Sequence, residues 1–241
     1  MIILITRIWD REAIPGGWRE ALIVRVHKKG NTICGNYRGI SLLITAYKML
    51  SHILLRRLSP ISENVLEEYQ CGFRKGRSTS DQLFNIRQLM EKRWEYALEI
   101  HHLFIIYKQA YGSICSESLW TIMEDFGFHK KLIRMTKVCV CGSKSRVKLG
   151  GNISQPFEIR TGLRRGDTLS PLLFNLVLEK VMTGVKRNDA GVPLGRVLRA
   201  FGYADDIDLV CNSEEGLRRM FGALETGGNG VGLVVSEEKT K

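Results

Sequence analysis

The sequence predicts an α+β fold, a sheet with helices packed on one face, and three observations predict it. Helical and strand patterns interleave irregularly along 241 residues. No repeat period, low-complexity stretch or Pro/Gly/Ser-rich linker divides the chain. Hydrophobic content of 44% beside charged content of 25% is ordinary for a globular protein. The length suffices for a substantial core, as one large domain or two subdomains.

The elements follow in order. Residues 42–58 place Leu42, Ala46, Leu50, Ile53, Leu54 and Leu58 at helical spacing until Pro60 interrupts. Thr79 and Gln82 have capping-box spacing and precede a helix whose inner face includes Leu83, Ile86, Met90, Trp94 and Ala97. Residues 102–107 form an apolar run short enough for a buried strand. Ser116 caps a helix ending near Gly127, and a basic helix covers about 130–140. Residues 145–149 and 156–160 make a strand pair around Gly150-Gly151-Asn152. Ser170 before Pro171 starts a helix that continues through Leu173, Leu176, Val177 and Val181. A helix is expected over 214–225, then a turn at the glycine cluster 227–232, then a last strand over 231–235. That cluster lacks the order of a phosphate-cradling fingerprint, so it reads as a turn.

The most informative run is Phe201-Gly202-Tyr203-Ala204-Asp205-Asp206-Ile207-Asp208-Leu209-Val210. It reads as strand, tight turn, strand, with adjacent carboxylates at the turn. Two anions this close beside an apolar sheet call for protonation, a basic partner or a divalent metal. Hard oxygen ligands suit Mg²⁺, which takes one or two protein carboxylates and completes its shell with water and phosphate. Taken alone, Asp-Asp also describes an ordinary solvated turn.

A net charge of +11 points to a polyanionic partner, or to a basic surface that keeps the chain in solution. Six irregularly spaced cysteines do not make a disulfide framework, and Cys139 and Cys141 have no matching Cys/His pair for zinc. The histidines, including His101-His102, are not spaced for metal binding. A reducing, intracellular site, nucleus or cytoplasm, fits best. The start, Met1-Ile2-Ile3-Leu4-Ile5-Thr6-Arg7, reads as neither a signal peptide nor a membrane span.

Several stretches then fall in one order: Trp18-Arg19-Glu20-Ala21, Lys28-Lys29-Gly30, Asn36-Tyr37-Arg38-Gly39-Ile40-Ser41-Leu42-Leu43, Gln70-Cys71-Gly72-Phe73-Arg74-Lys75-Gly76-Arg77-Ser78-Thr79, Gly162-Leu163-Arg164-Arg165-Gly166-Asp167-Thr168-Leu169-Ser170-Pro171, Tyr203-Ala204-Asp205-Asp206 and Lys239-Thr240-Lys241. Together they resemble the reverse transcriptases of non-LTR (LINE-type) retrotransposons, from about residue 8 to 241. The resemblance implies a right-hand polymerase with fingers over 1–95 and a palm over 96–241, the palm an antiparallel sheet with packed helices, and no thumb. It implies nucleotidyl transfer with two Mg²⁺ ions, for which Mn²⁺ is a possible substitute, on an RNA template and a DNA primer with deoxynucleotides, without a membrane partner. Asp205 and Asp206 match metal-binding, catalytic carboxylates. Lys29, Arg38, Arg165 and Gly166 match nucleotide-binding positions, where guanidinium groups suit phosphate. Tyr111 falls where an aromatic ring meets the sugar 2′ position. Lys239 matches a lysine that protonates pyrophosphate. Arg74, Lys75 and Arg77 match nucleic-acid contacts, with Arg74 and Arg77 expected outside the core.

The departures are specific. Where the family reads roughly Phe-Ile-Asp-Phe-Lys-Lys-Ala-Phe/Tyr-Asp-Ser, this chain has Phe104-Ile105-Ile106-Tyr107-Lys108-Gln109-Ala110-Tyr111-Gly112-Ser113. Ile106 occupies the third metal-ligand position, and isoleucine cannot coordinate Mg²⁺. Glu99, seven positions earlier, should face the other side of a continuous strand. Arg165 stands where the family has Gln, and Ser236 where it usually has Asn. This pattern reads as a degenerate, truncated element copy, its fold retained, its metal binding weak and its catalysis impaired. The alternative is a non-enzymatic nucleic-acid-binding fragment of element origin.

Overall fold

The computed structural model describes residues 1–28, 30–31, 36–187, 190–194 and 196–241. The order is helix α1 (Ile2–Arg11), a 3-10 turn (Gly16–Arg19), strands β1 (Glu20–His27) and β2 (Tyr37–Leu42), and helices α2 (Thr45–Val65) and α3 (Thr79–Glu95). Strand β3 (His101–Lys108) precedes helices α4 (Ala110–Ser113), α5 (Ser116–Asp125) and α6 (Lys130–Val140). Strands β4 (Ser143–Leu149), β5 (Asn152–Ile153) and β6 (Phe157–Ile159) lead to helix α7 (Ser170–Lys186). Then come β7 (Val192–Leu194), β8 (Arg196–Leu198), β9 (Ala200–Tyr203), β10 (Asp206–Cys211), helix α8 (Glu214–Gly230) and β11 (Val234–Val235). Sheet and helix are mixed as an α+β fold requires. Among the described residues no helix is long and apolar enough to cross a membrane. The chain forms two compact units, Met1–Ser62 with Cys115–Leu173, and Glu63–Ile114 with Phe174–Lys241. Each therefore draws chain from both sides of residue 95.

The first unit is built on a sheet of order β2-β1-β4-β5, with β6 also paired to β4. β1 runs antiparallel to β2, from Leu22↔Leu42 to His27↔Tyr37, and parallel to β4. β4 pairs with the expected partner at Phe157–Ile159 and, nearer the glycine turn, with a further short strand at Asn152–Ile153. α2 buries Tyr47, Leu50, Leu54 and Leu58 at helical spacing, but Pro60 does not stop it. Pro60 lacks the N–H that would reach the Arg56 carbonyl. The buried stripe continues across it from Leu58 to Ser62, and the Ser59 and Ser62 hydroxyls donate to the Leu55 and Leu58 carbonyls at 2.7 and 3.1 Å. Those contacts hold the helix to Val65. In α5 the cap position falls on Cys115, one residue before Ser116.

The second unit carries an antiparallel sheet of order β11-β3-β10-β9. β10 pairs with β3 from Asp206↔Ile106 to Cys211↔His101 and with β9 from Asp206↔Tyr203 to Leu209↔Ala200. Side chains alternate faces along each strand. On the face of Phe201 and Val210, the sheet packs against Leu89 of α3 and Val192 of β7. α8 covers the opposite face, so helices lie on both faces of this sheet and not on one. A Cβ on Gly216 would overlap the Cys211 thiol, and one on Gly228 would lie 3.8 Å from the Tyr107 ring.

Two expectations for these helices fail. The capping box of α3 is Ser78 with Asp81, one residue before Thr79 and Gln82. Its buried face is Gln82, Leu89 and Arg93, while Leu83, Met90 and Trp94 are 68%, 53% and 86% exposed. The Gln82 amide donates to the carbonyls of Tyr69 and Gly202 at 2.5 and 3.0 Å, and Arg93 donates to the Glu99 carbonyl. A buried amide or guanidinium left without acceptors would cost stability, and these carbonyls supply the acceptors, so polar pairing sets the rotation of this helix against its apolar stripe. The glycine cluster is the second failure, because α8 runs through Gly227 and Gly228 to Gly230. Cβ atoms there would lie 3.4 Å from Val181 Cγ1 and 3.0 Å from the Leu233 carbonyl. Glycine costs about 1 kcal/mol per helical position but permits this approach. Val231 becomes the C-cap, and the last strand shrinks to Val234–Val235.

Candidate functional site

In the second unit, β9 and β10 are joined by the two-residue turn Ala204-Asp205, closed by the Tyr203↔Asp206 pair. Ala204 has φ +58°, a left-handed conformation that costs a residue with a side chain about 1–3 kcal/mol. Asp205 is half-buried and Asp206 exposed. Directly across from Asp206 on β3 sits Ile106. A carboxylate on that Cβ would lie within cross-strand contact of Asp206, about 5 Å between Cβ atoms. Glu99 lies ahead of β3, beside His101 at 3.9 Å, and is not part of the strand.

The C-terminal segment borders the same strand. Ser236 N–H donates to the Ile106 carbonyl at 2.8 Å, and Phe104 and Lys241 exchange backbone bonds of 2.7 and 3.0 Å. Between them the Lys239 and Thr240 amides fold back on the Ser236 carbonyl. Lys239 therefore rides, exposed, on a turn anchored to Ile106. Tyr111 follows Gln109 (φ +47°) in α4, and its ring stacks on Phe174 with centroids 4.9 Å apart.

Among the described residues no group of three or more His, Cys, Asp or Glu is placed to hold a metal ion. Asp205 and Asp206 fit a single hard cation that completes its shell with water and phosphate. The residues present do not fit a pair of ions. The sequence reading gave no role to Asp208, two residues along β10 and on the same face as Asp206. It is 4% exposed, with Oδ2 2.8 Å from His102 Nδ1. The signal that could have found it is the Asp-x-Asp alternation of a strand buried on both faces.

The first unit holds the other predicted cluster. Arg38 lies exposed on β2 opposite Val26. The Ser41 N–H donates to the Arg165 carbonyl at 2.8 Å, which fastens the 164–167 loop to that strand. Gly166 has φ +101°, and a Cβ there would stand 2.8 Å from the Ser41 carbonyl. It also lies beside Ile40, on the face of β2 that carries Arg38. Arg38, Arg165 and Gly166 are thus brought together; Lys29 lies outside the described residues.

Two buried charges flank that loop. Arg164 Nη2 donates to Asp167 Oδ2 (3.1 Å), the Tyr47 hydroxyl (2.7 Å) and the Cys139 carbonyl (2.9 Å). Tyr47 donates to Asp167 Oδ2 at 2.5 Å. Burial, then the Asp167 charge, pushes the Tyr47 hydroxyl far above its usual range, so it stays a donor. The same two causes push the Cys139 thiol up to about 12, which keeps it from being a thiolate near neutral pH.

The third predicted cluster divides. Arg74, expected outside the core, is buried. It pairs with Glu63 at 2.8 Å and donates to the carbonyls of Glu67 and Gln70 at 2.6 and 3.0 Å. Its guanidinium is used inside the fold, joining the chain before α3 to the end of α2. Arg77 forms a two-pronged pair with Glu68 at 2.5 and 2.7 Å, and Lys75 is exposed. Arg74→Ala is expected to lower stability by about 2–3 kcal/mol, because it takes a donor from the carbonyls of Glu67 and Gln70, the latter bond buried, and removes the Glu63 pair together with the packing of a buried side chain. Lys75→Ala should leave the unfolding midpoint within about 0.5 kcal/mol. Urea melts of both variants test this; equal losses would contradict the division.

The profile of the family described as "Reverse transcriptase (RNA-dependent DNA polymerase)" matches residues 26–241. The "Transposon TX1 uncharacterized 149 kDa protein" of Xenopus laevis is 25% identical over 90% of this chain and 17% of its own length. The "RNA-directed DNA polymerase from mobile element jockey" of Drosophila melanogaster is 25% identical over 93% of this chain and 25% of its own. The chain thus spans a quarter or less of either relative. Among solved structures, apo telomerase from Candida tropicalis, truncated from the C-terminal domain, superposes with a TM-score of 0.67 at 13% identity. That match covers 99% of this chain and 53% of the telomerase chain.

Proposed function

Because this chain belongs to the reverse transcriptase (RNA-dependent DNA polymerase) family, we propose that it is the fingers-and-palm part, 1–95 and 96–241, of a non-LTR retrotransposon polymerase with an incomplete metal site. Family membership brings dependence on divalent metal; the finer assignment is Mg²⁺, with Mn²⁺ as a substitute, held weakly by Asp205 and Asp206. The observation that supports impairment is the register that sets Ile106 against Asp206. A bound cation there would stabilise charge on the transferring phosphate. This chain's own contributions are Lys239 as proton donor to the leaving pyrophosphate, and Lys29, Arg38, Arg165 and Gly166 as the triphosphate contacts. Tyr111 is assigned to the sugar 2′ position, and Lys75 and Arg77 to phosphate contacts on the RNA template and DNA primer.

Primer extension on a homopolymer RNA, with Mg²⁺ and Mn²⁺ tested separately, checks the reading. The expected result is no processive synthesis. Losing even an outer partner of a metal ligand costs about 10–100-fold, and losing a direct ligand costs more. Extension by many nucleotides at the rate of a family member with all three carboxylates would overturn it.

Nucleic-acid binding without synthesis is the second reading, favoured by the +11 charge. Phosphate contacts supply affinity independent of sequence, with a slope of about −0.9 in log K against log salt per neutralised phosphate on duplex DNA. Binding is expected to be strong at low salt and to fade towards physiological salt. Lys75→Ala with Arg77→Ala should flatten the slope by up to about two phosphates. A slope unchanged by both substitutions would assign the charge to solubility.

A further inference from the structure

We infer that Gln70 is the positioning residue for the Asp205-Asp206 pair, a clamp that fixes the backbone on which those carboxylates are mounted. Gln70 is fully buried. Its Oε1 accepts from the Ala204 N–H at 2.8 Å, and its Nε2 donates to the Ala204 carbonyl at 3.1 Å. One side-chain amide therefore engages both backbone polar groups of a single turn residue, the residue held at φ +58°. Ala204 N–H and C=O have no ladder partner in β9 or β10, whose pairing stops at Tyr203↔Asp206. Without Gln70 they would be buried and unpaired at a strained residue. The clamp rotates both peptide planes into one orientation, and the second of them is the plane that leads into Asp205.

Its mounting is rigid for reasons that are also local. Cys71 N–H donates to the Gly202 carbonyl at 2.9 Å and Gly202 N–H to the Tyr69 carbonyl at 2.7 Å, so residues 69–71 lie along β9 as an added, parallel bridge. Gln70 Oε1 also accepts from the Gly72 N–H at 2.8 Å, which locks the amide's orientation from its own side. Gly72 is glycine because a Cβ there would overlap the Ala204 backbone. Asn175 of α7 donates to the Gly72 carbonyl at 2.8 Å and closes the shell. The segment Gln70-Cys71-Gly72 thus acts on the acid turn.

The metal readout of this inference rests on the carboxylate-site reading above; its exchange readout does not. In the unmodified protein, the Ala204 amide is expected to exchange with solvent as slowly as amides of β10, although it sits in a two-residue turn. Exchange at the rate of an open turn would overturn the clamp whatever the variants do. Gln70→Met keeps the volume and removes both bonds, and Gln70→Glu keeps the acceptor and removes the donor to the Ala204 carbonyl. In Gln70→Met, exchange at Ala204 should rise at least tenfold while amides in the centre of β3 stay within twofold. Uniform loosening of both would assign Gln70 to general stability. In an Ile106→Asp background, Mn²⁺ alone, followed by calorimetry, should bind about tenfold or more weakly once Gln70→Met is added. Unchanged Mn²⁺ affinity together with raised exchange would mean that the clamp orders the turn without aiming its carboxylates, and would overturn the positioning role. If Ile106→Asp fails to bind Mn²⁺ at all, the metal-site reading falls, and the exchange comparison still decides whether Gln70 holds the turn.

Discussion

Ile106→Asp is expected to tighten divalent-metal binding at least tenfold and to destabilise the metal-free protein. The register places residue 106 directly across from Asp206, with Asp205 in the adjoining turn. A third carboxylate at that position would lie about 5 Å from its cross-strand neighbour. Two unit charges at that separation repel by about 3 kcal/mol at an effective dielectric near 20, less where water reaches them. Asp206 is exposed, so a loss of about 1–2 kcal/mol without metal is expected. A divalent ion reverses the sign, since each carboxylate that repels the other two attracts it, and a direct ligand adds more than the 10–100-fold attached to outer partners. Calorimetric titration with Mg²⁺ and Mn²⁺, and melts with and without chelator, test the two halves separately. Equal affinity in parent and variant would show that residue 106 does not reach the ion bound at Asp205 and Asp206.

The central strands of the second unit were legible in the sequence because short β-rich apolar runs are a local signal, whereas β1 and β2 of the first unit were not read as strands. The 102–107 run, the acid hairpin and the Ser170-Pro171 start fell within a residue or two of β3, β9–β10 and α7. The misses in the helices share a cause that no local pattern carries. Leu83, Met90 and Trp94 line one stripe of α3, and periodicity alone assigns them to the core. The helix instead turns Gln82 and Arg93 inward, where the carbonyls of Tyr69, Gly202 and Glu99 accept from their side chains. Arg74 is a related case, since the resemblance implies a nucleic-acid contact and the fold instead pairs it with Glu63 and two carbonyls. Pro60 and Gly227-Gly228 read as breaks by composition and are tolerated because packing on either side holds the helices. For the candidate site, the residue types were visible as motifs. What Gln70 does with its amide, and which neighbour Asp208 meets, depend on pairings 134 and 106 residues apart.

Arg164→Ala is expected to be the most damaging single substitution, lowering stability by about 3–5 kcal/mol. Its side chain and that of Asp167 are 5% and 3% exposed, and removing one member of a buried pair leaves the other's charge uncompensated. Three acceptors lose a donor at once: Asp167 Oδ2, the Tyr47 hydroxyl and the Cys139 carbonyl, with the Tyr47 hydroxyl still donating to Asp167 Oδ2. Tyr47→Phe should cost less, about 1–2 kcal/mol, because Arg164 still reaches Asp167 directly. The double variant Arg164→Met with Asp167→Leu removes both charges and should recover at least 2 kcal/mol relative to the sum of its single changes, since no ion is then stranded. Function should divide differently from stability. Arg165 and Gly166 lie between the two buried charges, and the Ser41–Arg165 bond fixes only one point of that loop. The double variant is therefore expected to fold and yet to lose triphosphate affinity, measured as deoxynucleotide binding by calorimetry or equilibrium dialysis. Retained nucleotide affinity in the folded double variant would mean that β2 alone holds the loop, and additive losses in the cycle would mean that Arg164 and Asp167 act independently.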